Sequence, residues 1–351
     1  MVKAQLSNNY PTIHSSTTDN IMIAAKMLQN GDIIAFPTET VYGLGAAAHD
    51  ELAVQKIYAA KGRPSNNPLI IHVDSLEMAM QYGVFNKRAT ALAMQFFPAA
   101  LTLVVPLIAG KVAKSALAGG QTVAIRCPAH NVARALITSA GFAIAAPSAN
   151  MSGQISPTTA QHVATEFAKL PLFILEGDDA EGDNVKGGAC EIGLESTVVD
   201  CTSPKLRILR HGSITAEQLG IIDDVASMQI SSNMSSTIQS TIRSPGQLAS
   251  HYAPKSRLRI NAVAPNANEL YLGFGDYYST NHPANLNLSK IGDLTGAAHN
   301  LYAHLRILDE IAQSYAETSN LIIPGIACAP IPFVGVGIAI NDRLMRAAFG
   351  E

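Results

Sequence analysis

Short apolar runs, each ending in a cation, an amide or a hydroxyl and set against stretches of helical period, constrain this chain more than any other feature. Ile33–Pro37, Leu69–Val73, Leu101–Val105, Val123–Cys127 and Ala143–Ala146 read as strands, and Asp19–Asn30, Glu51–Ala60, Lys87–Phe97 and Val132–Ser139 as helices. The alternation predicts an α/β fold whose N-terminal part is an open, twisted mixed sheet flanked by helices. Polar groups collected at the ends of several strands are the usual layout of a ligand site in such a sheet. A concave strand-end site is therefore expected.

The residue types at those ends point to an anionic ligand. The first strand runs through Phe36-Pro37-Thr38-Glu39-Thr40 into a turn of small and hydroxyl residues. Lys61-Gly62-Arg63-Pro64 follows, and proline disfavours helical geometry in the residue before it. Both cations are thus expected at a helix end or on a loop, as exposed side chains. Arginine suits two-point contact with phosphate or carboxylate, while lysine acts as a point charge. Asn67 and His72 flank the next strand, Arg126 closes another, and Ser148 and Asn150 follow Ala146. Further on, Ser196 opens a strand and Arg210 ends one beside His211-Gly212. Thr158 and Thr159 read instead as caps of the helical segment Ala160–Ala168.

Taken in order, FPTETVYGLG, KGRPSNNPLIIH, TVAIR, APSAN, ESTVVD and LRHG make the chain similar to the threonylcarbamoyl-AMP synthase family over roughly residues 15–215. Ser244-Pro245-Gly246 and His251-Tyr252-Ala253-Pro254 resemble the longer, two-domain members. The resemblance implies a nucleotidyltransferase that condenses L-threonine, bicarbonate and ATP into L-threonylcarbamoyladenylate and pyrophosphate, for threonylcarbamoyladenosine modification of tRNA. It implies that Thr40, His72, Arg126 and Ser196 hold threonine, with Arg126 on the carboxylate. It implies a catalytic role for Lys61 and Arg63 at the phosphates, and nucleotide contacts from Arg63, Asn67, Thr122, Ala146, Ser148, Asn150, Ser156 and Arg210. Ser250, His251 and Tyr252 either seat a linker over the site or anchor the second domain's first strand. ATP enters as substrate, with Mg2+; no organic cofactor and no metal site made from protein side chains alone are expected. The product would pass to a tRNA threonylcarbamoyltransferase. In one departure, this chain has Phe97-Pro98-Ala99-Ala100 where relatives carry tryptophan-proline-glycine-proline.

With 351 residues the chain can bury two cores. The expected division is a catalytic domain at 15–215, a linker at 216–254 and a small C-terminal α/β domain at 255–351, three-layered and Rossmann-like. Between Asp223 and Ile242 the composition turns to Ser, Met, Gln, Asn and Thr, which is that of a flexible linker. Beyond it, Leu258–Val263, Glu269–Phe274 and Leu321–Pro324 read as strands, and Leu294–Tyr315 and Ile338–Phe349 as helices.

A net charge of −3 gives no electrostatic footprint for tRNA, so tight tRNA binding is not expected. The same charge weighs against a noncatalytic RNA-binding module of this fold. A carbamoyl-transferring maturation factor with the same core domain would carry zinc-finger cysteine pairs, and Cys127, Cys190, Cys201 and Cys328 form none. Such unpaired cysteines fit a reduced, cytoplasmic protein. Prolines interrupt the uncharged stretches Ala89–Gly110 and Thr318–Asn341, so no membrane span is expected. Nor does the N-terminus read as a signal peptide.

Overall fold

The structure, a computed structural model, describes residues 10–177, 188–221, 251–279, 282–319 and 324–349. Most of the expected linker, with Ser244-Pro245-Gly246 and Ser250, lies outside the described residues. The N-terminal part runs β1 (Thr12–His14), α1 (Thr18–Gln29), β2 (Ile34–Phe36), β3 (Gly43–Ala47), α2 (Glu51–Lys61), β4 (Ile70–His72), α3 (Leu76–Ala79) and α4 (Lys87–Phe96). It continues with β5 (Leu101–Pro106), β6 (Thr122–Arg126), α5 (Asn131–Ala140), β7 (Ile144–Ala146), α6 (Ala160–Glu166), β8 (Phe173–Leu175), β9 (Thr197–Asp200) and β10 (Arg207–Arg210). These strands form one mixed sheet in the order β1-β8-β2-β3-β7-β4-β6-β5-β9-β10.

Side chains alternate between the two faces of a strand, so one face of this sheet can be read from the register. Ile71, Leu103, Val105, Val123, Ile125 and Val199 pack with Ala53, Val54 and Ile57 of α2, with Ala89 and Leu92 of α4, and with Val163 of α6. On the other face α1 and α5 cover only one end, burying Ile34, Phe36, Ile144 and Ala146 beneath Leu28, Leu136 and Ile137. The rest of that face carries a separate small apolar floor of Ile70, Val104, Ala124 and Val198. The helices thus leave half a sheet face for a site.

Glycine fixes two close approaches that shape this face. A Cβ at Gly45 would stand 2.7 Å from Ile144 and 2.8 Å from the Phe36 ring, so β3 can lie against β2 and β7 only because it is bare there. A Cβ at Gly212 would stand 2.4 Å from the Thr197 nitrogen, and its absence lets the chain after β10 press against the start of β9. The departure at Phe97-Pro98-Ala99-Ala100 keeps its turn tied to the sheet: Ala99 N–H donates to the Cys127 carbonyl at 2.9 Å, and Thr197 N–H to the Ala100 carbonyl at 3.0 Å.

A second, parallel sheet has the order β11 (Leu258–Arg259), β14 (Gly325–Cys328), β12 (Glu269–Gly273) and β13 (Leu286–Asn287). The long helix α7 (Leu294–Ser319) packs on β12, β14 and the last helix, α8 (Val336–Ala347). Its core takes in Val41, Ile155 and Leu194 from the first part, so the two units share one apolar contact. The two-sheet α/β architecture is the one expected.

Several boundaries differ. β1 precedes residue 15 and joins the large sheet beside β8. β3 was expected as a turn, because its glycines mask a strand. β11 stops at Arg259 instead of Val263, since Asn261 adopts a left-handed φ of 56°. Of the strand expected at Leu321–Pro324, residues 321–323 lie outside the described residues; β14 begins at Gly325, which donates to the Asn268 carbonyl at 3.0 Å.

Candidate active site

Cross-strand pairing sets a buried polar row on the face that α1 and α5 leave. His72 is paired with Arg126, Arg126 with Thr102, Thr102 with Val198, and Val198 with Arg210. Beside this row lies a cleft of about 520 Å3, counting its open mouth. Thr38, Thr40, Arg63, Ile70, His72, Arg126, Ala146, Ser148, Glu195, Arg210, His251 and Tyr252 are among its lining residues.

At one end, Arg126 donates through Nη1 to Thr40 Oγ1 at 2.8 Å and makes an ion pair through Nη2 with Glu39 Oε1 at 2.7 Å. Both partners of the pair are buried. Burial opposes ionisation of Glu39, but the adjacent guanidinium holds its carboxyl below the ordinary range. Thr38 fixes this loop, sharing a 2.8 Å hydrogen bond with Thr40 and donating to the Val41 carbonyl at 2.7 Å. His72 stands against the edge of the Phe36 ring, with centroids 6.0 Å apart. Burial first, and then the Arg126 charge, lowers its pKa to about 3, so the ring is neutral near pH 7.

At the other end the cations are held by carbonyl oxygens. Asp50 caps the start of α2, and Gly62, in the left-handed region at φ 59°, ends it directly after Lys61. That turn sends Lys61 and Arg63 inward, contrary to their expected exposure: they are only 2% and 8% exposed. Lys61 Nζ donates to the Ser148 carbonyl at 2.5 Å and to the Asn150 carbonyl. Arg63 donates to the carbonyls of Asn67 at 3.2 Å and Pro68 at 3.0 Å. Burial and the neighbouring Arg63 charge push the Lys61 pKa well down, and burial brings Arg63 to about 10. Arg210 donates to the Ser196 carbonyl and hydroxyl, each at 3.1 Å, and Ser196 Oγ also shares a 2.7 Å bond with Thr102.

Not every expected residue lines the cleft. Lys61, Asn67, Asn150, Ser156 and Ser196 stand behind the lining and touch it through neighbours, and Thr122 opens β6 opposite Pro106. Both side-chain polar atoms of Asn67 are buried without a protein partner, as are Asn150 Oδ1 and the Nδ1 atoms of His72 and His251. Such orphaned groups are rare in a finished interior and common where a ligand completes the bonding. Thr159 is the cap expected of it, accepting from His162 N–H at 3.2 Å. Thr158 is not: its hydroxyl shares a 3.4 Å hydrogen bond with the His162 ring nitrogen.

Glu39 and Glu195 join the site beyond the residues expected from the sequence. Their signal was present, an acidic residue inside a hydroxyl-rich strand end, in Thr38-Glu39-Thr40 and Glu195-Ser196-Thr197. Burial works against the Glu195 charge, yet Arg343 and Arg210 bring its pKa down to about 2. Among the described residues no group of three His, Cys, Asp or Glu side chains is placed to hold a metal ion.

Comparison with known proteins identifies the family. A family model described as "Telomere recombination" matches residues 26–212, and one described as "Threonylcarbamoyl-AMP synthase, C-terminal domain" matches residues 214–349. A threonylcarbamoyl-AMP synthase of Bacillus subtilis is 37% identical over 367 aligned positions, covering 100% of this chain and 96% of its own. One from Pyrococcus abyssi is 36% identical, covering 93% and 94%. The crystal structure of P. abyssi Sua5 complexed with L-threonine superposes with a TM-score of 0.78 at 32% identity, over 97% of both chains. The chain is an enzyme and belongs to the threonylcarbamoyl-AMP synthase family.

Proposed function

We propose that this chain makes L-threonylcarbamoyladenylate from L-threonine, bicarbonate and ATP. One observation carries the reading: a single cleft has an arginine-centred, hydroxyl-lined end and an end of buried cations, of which Lys61 and Arg63 donate to main-chain carbonyls. The first suits an amino-acid carboxylate and the second a triphosphate. The threonine amine would attack the bicarbonate carbon, with loss of water, to give a carbamate. A carbamate oxygen would then attack the α-phosphorus while the bond to the bridging α–β oxygen breaks and pyrophosphate leaves. No protein nucleophile is required; positioning and charge stabilisation suffice.

In this reading Arg126 takes the threonine carboxylate, with Thr40, His72 and Ser196 around it. Lys61, Arg63 and Arg210 face the phosphates, and Asn67, Ser148, Asn150 and Ser156 shape the nucleotide side. Thr122 and Ala146 would contribute only from the edge and the floor. Both site carboxylates are committed to arginines, so Mg2+ would travel with the triphosphate as part of the substrate. The division at 15–215, 216–254 and 255–351 and transfer of the product to a tRNA threonylcarbamoyltransferase belong to the same reading. Inward-facing cations suit a small polyanion better than an RNA backbone.

The test is incubation with ATP, labelled bicarbonate and threonine, following pyrophosphate and a labile adenylate. Release should require threonine and bicarbonate together. Equal release with threonine alone in bicarbonate-free buffer would overturn the mechanism.

A further inference from the structure

Glu195 is a buried carboxylate in the wall of a cleft that also contains Arg63 and Arg210. A carboxylate free to turn there would pair with those cations and fill the place of an anionic ligand. Its oxygens are occupied elsewhere. Oε2 accepts from Arg343 Nε at 3.0 Å and from the Tyr302 hydroxyl at 2.9 Å. Oε1 accepts from Ser156 Oγ at 2.6 Å and from the same tyrosine at 3.2 Å. Tyr302 comes from α7 and Arg343 from α8, so two of the three side chains that hold Glu195 belong to the second sheet's unit.

The same two residues fix another wall of the cleft. The Tyr302 ring stacks on Tyr252 with centroids 5.7 Å apart, and the Arg343 guanidinium lies 5.4 Å from the Tyr252 ring centroid. Arg343 is 1% exposed, and Asp342 braces its Nη1 at 2.8 Å. Neither Tyr302 nor Arg343 lines the cleft. An arginine buried this completely touches the cleft lining through that carboxylate and through the Tyr252 ring.

We propose that Arg343 and Tyr302 are positioning residues for the anionic-ligand end of the cleft: they hold the Glu195 carboxylate away from Arg63 and Arg210 and fix Tyr252 in the wall. The second domain thereby keeps the Glu195 carboxylate from pairing with those cations. This rests on reading that end as a phosphate receptor.

The experiment uses the full-length chain, with inorganic pyrophosphate binding measured by calorimetry and pyrophosphate release from ATP measured at steady state. Arg343→Met should weaken pyrophosphate binding by about tenfold or more, because the unpaired Glu195 then competes for the cations. KM for ATP should rise while KM for threonine stays within about twofold, and Arg343→Lys should recover part of the loss. Adding Glu195→Gln to Arg343→Met should restore pyrophosphate binding, since the competing charge is gone. Circular dichroism would establish that each variant is folded. A folded Arg343→Met protein that binds pyrophosphate like the wild type overturns the proposal, as does a double variant no better than the single one. Should Arg343→Met fail to fold, Tyr302→Phe carries the test, with about a threefold loss expected and no loss overturning it. Arg343-dependent pyrophosphate binding without turnover in the wild type would sink the assigned reaction and leave this inference standing. Wild-type turnover with an indifferent Arg343 would do the reverse.

Discussion

The two ends of the cleft solve the problem of a buried cation differently. At one end Arg126 has a carboxylate, Glu39, within ion-pair distance and a hydroxyl, Thr40, beside it. At the other, the contacts of Lys61 and Arg63 are carbonyl oxygens, and burial lowers the pKa of both. A carbonyl supplies a dipole and no charge, so among the described residues neither Lys61 nor Arg63 has an ion-pair partner, and an incoming anion can supply one. The paired end is nearly neutral before a ligand arrives and suits a zwitterion such as an amino acid. Charge left uncompensated in a fold marks where the ligand must bring its own.

The largest expected effect breaks the uncompensated end. Lys61→Met should lower pyrophosphate release by about 100-fold or more, through lost stabilisation at the phosphates. Its thermal stability should hold or rise, because replacing a buried charge by a packed apolar side chain of similar volume is often neutral or stabilising. Activity assays and melting curves on the same preparation read both. A melting temperature lower by about 5 °C or more would make Lys61 a brace for the Ser148 and Asn150 carbonyls, and the contrast between the ends would fail.

Arg126→Ala breaks the paired end and should behave in the opposite sense. It strands Glu39 as a buried unpaired carboxylate, at a cost of about 3–5 kcal/mol in stability. Threonine recognition should weaken by about 2–4 kcal/mol, with ATP binding little changed. Adding Glu39→Gln should return most of the stability and none of the threonine affinity. Denaturant midpoints and threonine calorimetry on the single and double variants separate the two roles. If the second change restores threonine binding as well, Arg126 is a structural partner of Glu39 and not a carboxylate receptor.

The chain announced the row of strand-end groups well, and for a physical reason. A polar residue at an alternate position in an otherwise apolar strand, as His72, Arg126 and Arg210 are, has few uses besides a ligand. Burial was less legible. Pro64 spoke for a loop at Arg63, and nothing local revealed that the left-handed turn at Gly62 drives Lys61 and Arg63 inward against carbonyls of residues far along the chain. Glu39 and Glu195 were visible as residues and silent as roles, because their partners lie 87 and 148 positions away. Tyr302 and Arg343 could not have been read at all, since their function exists only where two sheets meet. His251 and Tyr252 line the cleft, and Tyr252 is also buried in the second core, while the linker before them lies outside the described residues.

The smallest effect sharpens the comparison through pH. His72 is buried neutral with a pKa of about 3, against an ordinary value of about 6.5 in the unfolded chain. His251, at the opposite end, is also lowered to about 3, by burial first and then by Arg63, Lys61 and Arg210 against the opposing pull of Glu195. A depressed folded-state pKa means that unfolding takes up a proton. Each ring's contribution is therefore complete above about pH 6.5 and lost progressively as the pH falls toward 3, by about 1.4 kcal/mol per pH unit. His72→Asn should remove one such slope from urea midpoints measured between pH 7 and pH 4. Saturating pyrophosphate should flatten the contribution of His251, because it neutralises the cations that hold that ring's pKa down, and leave that of His72 unchanged. Equal flattening of both would mean that the anion reaches across the whole cleft and that its two ends are one electrostatic site.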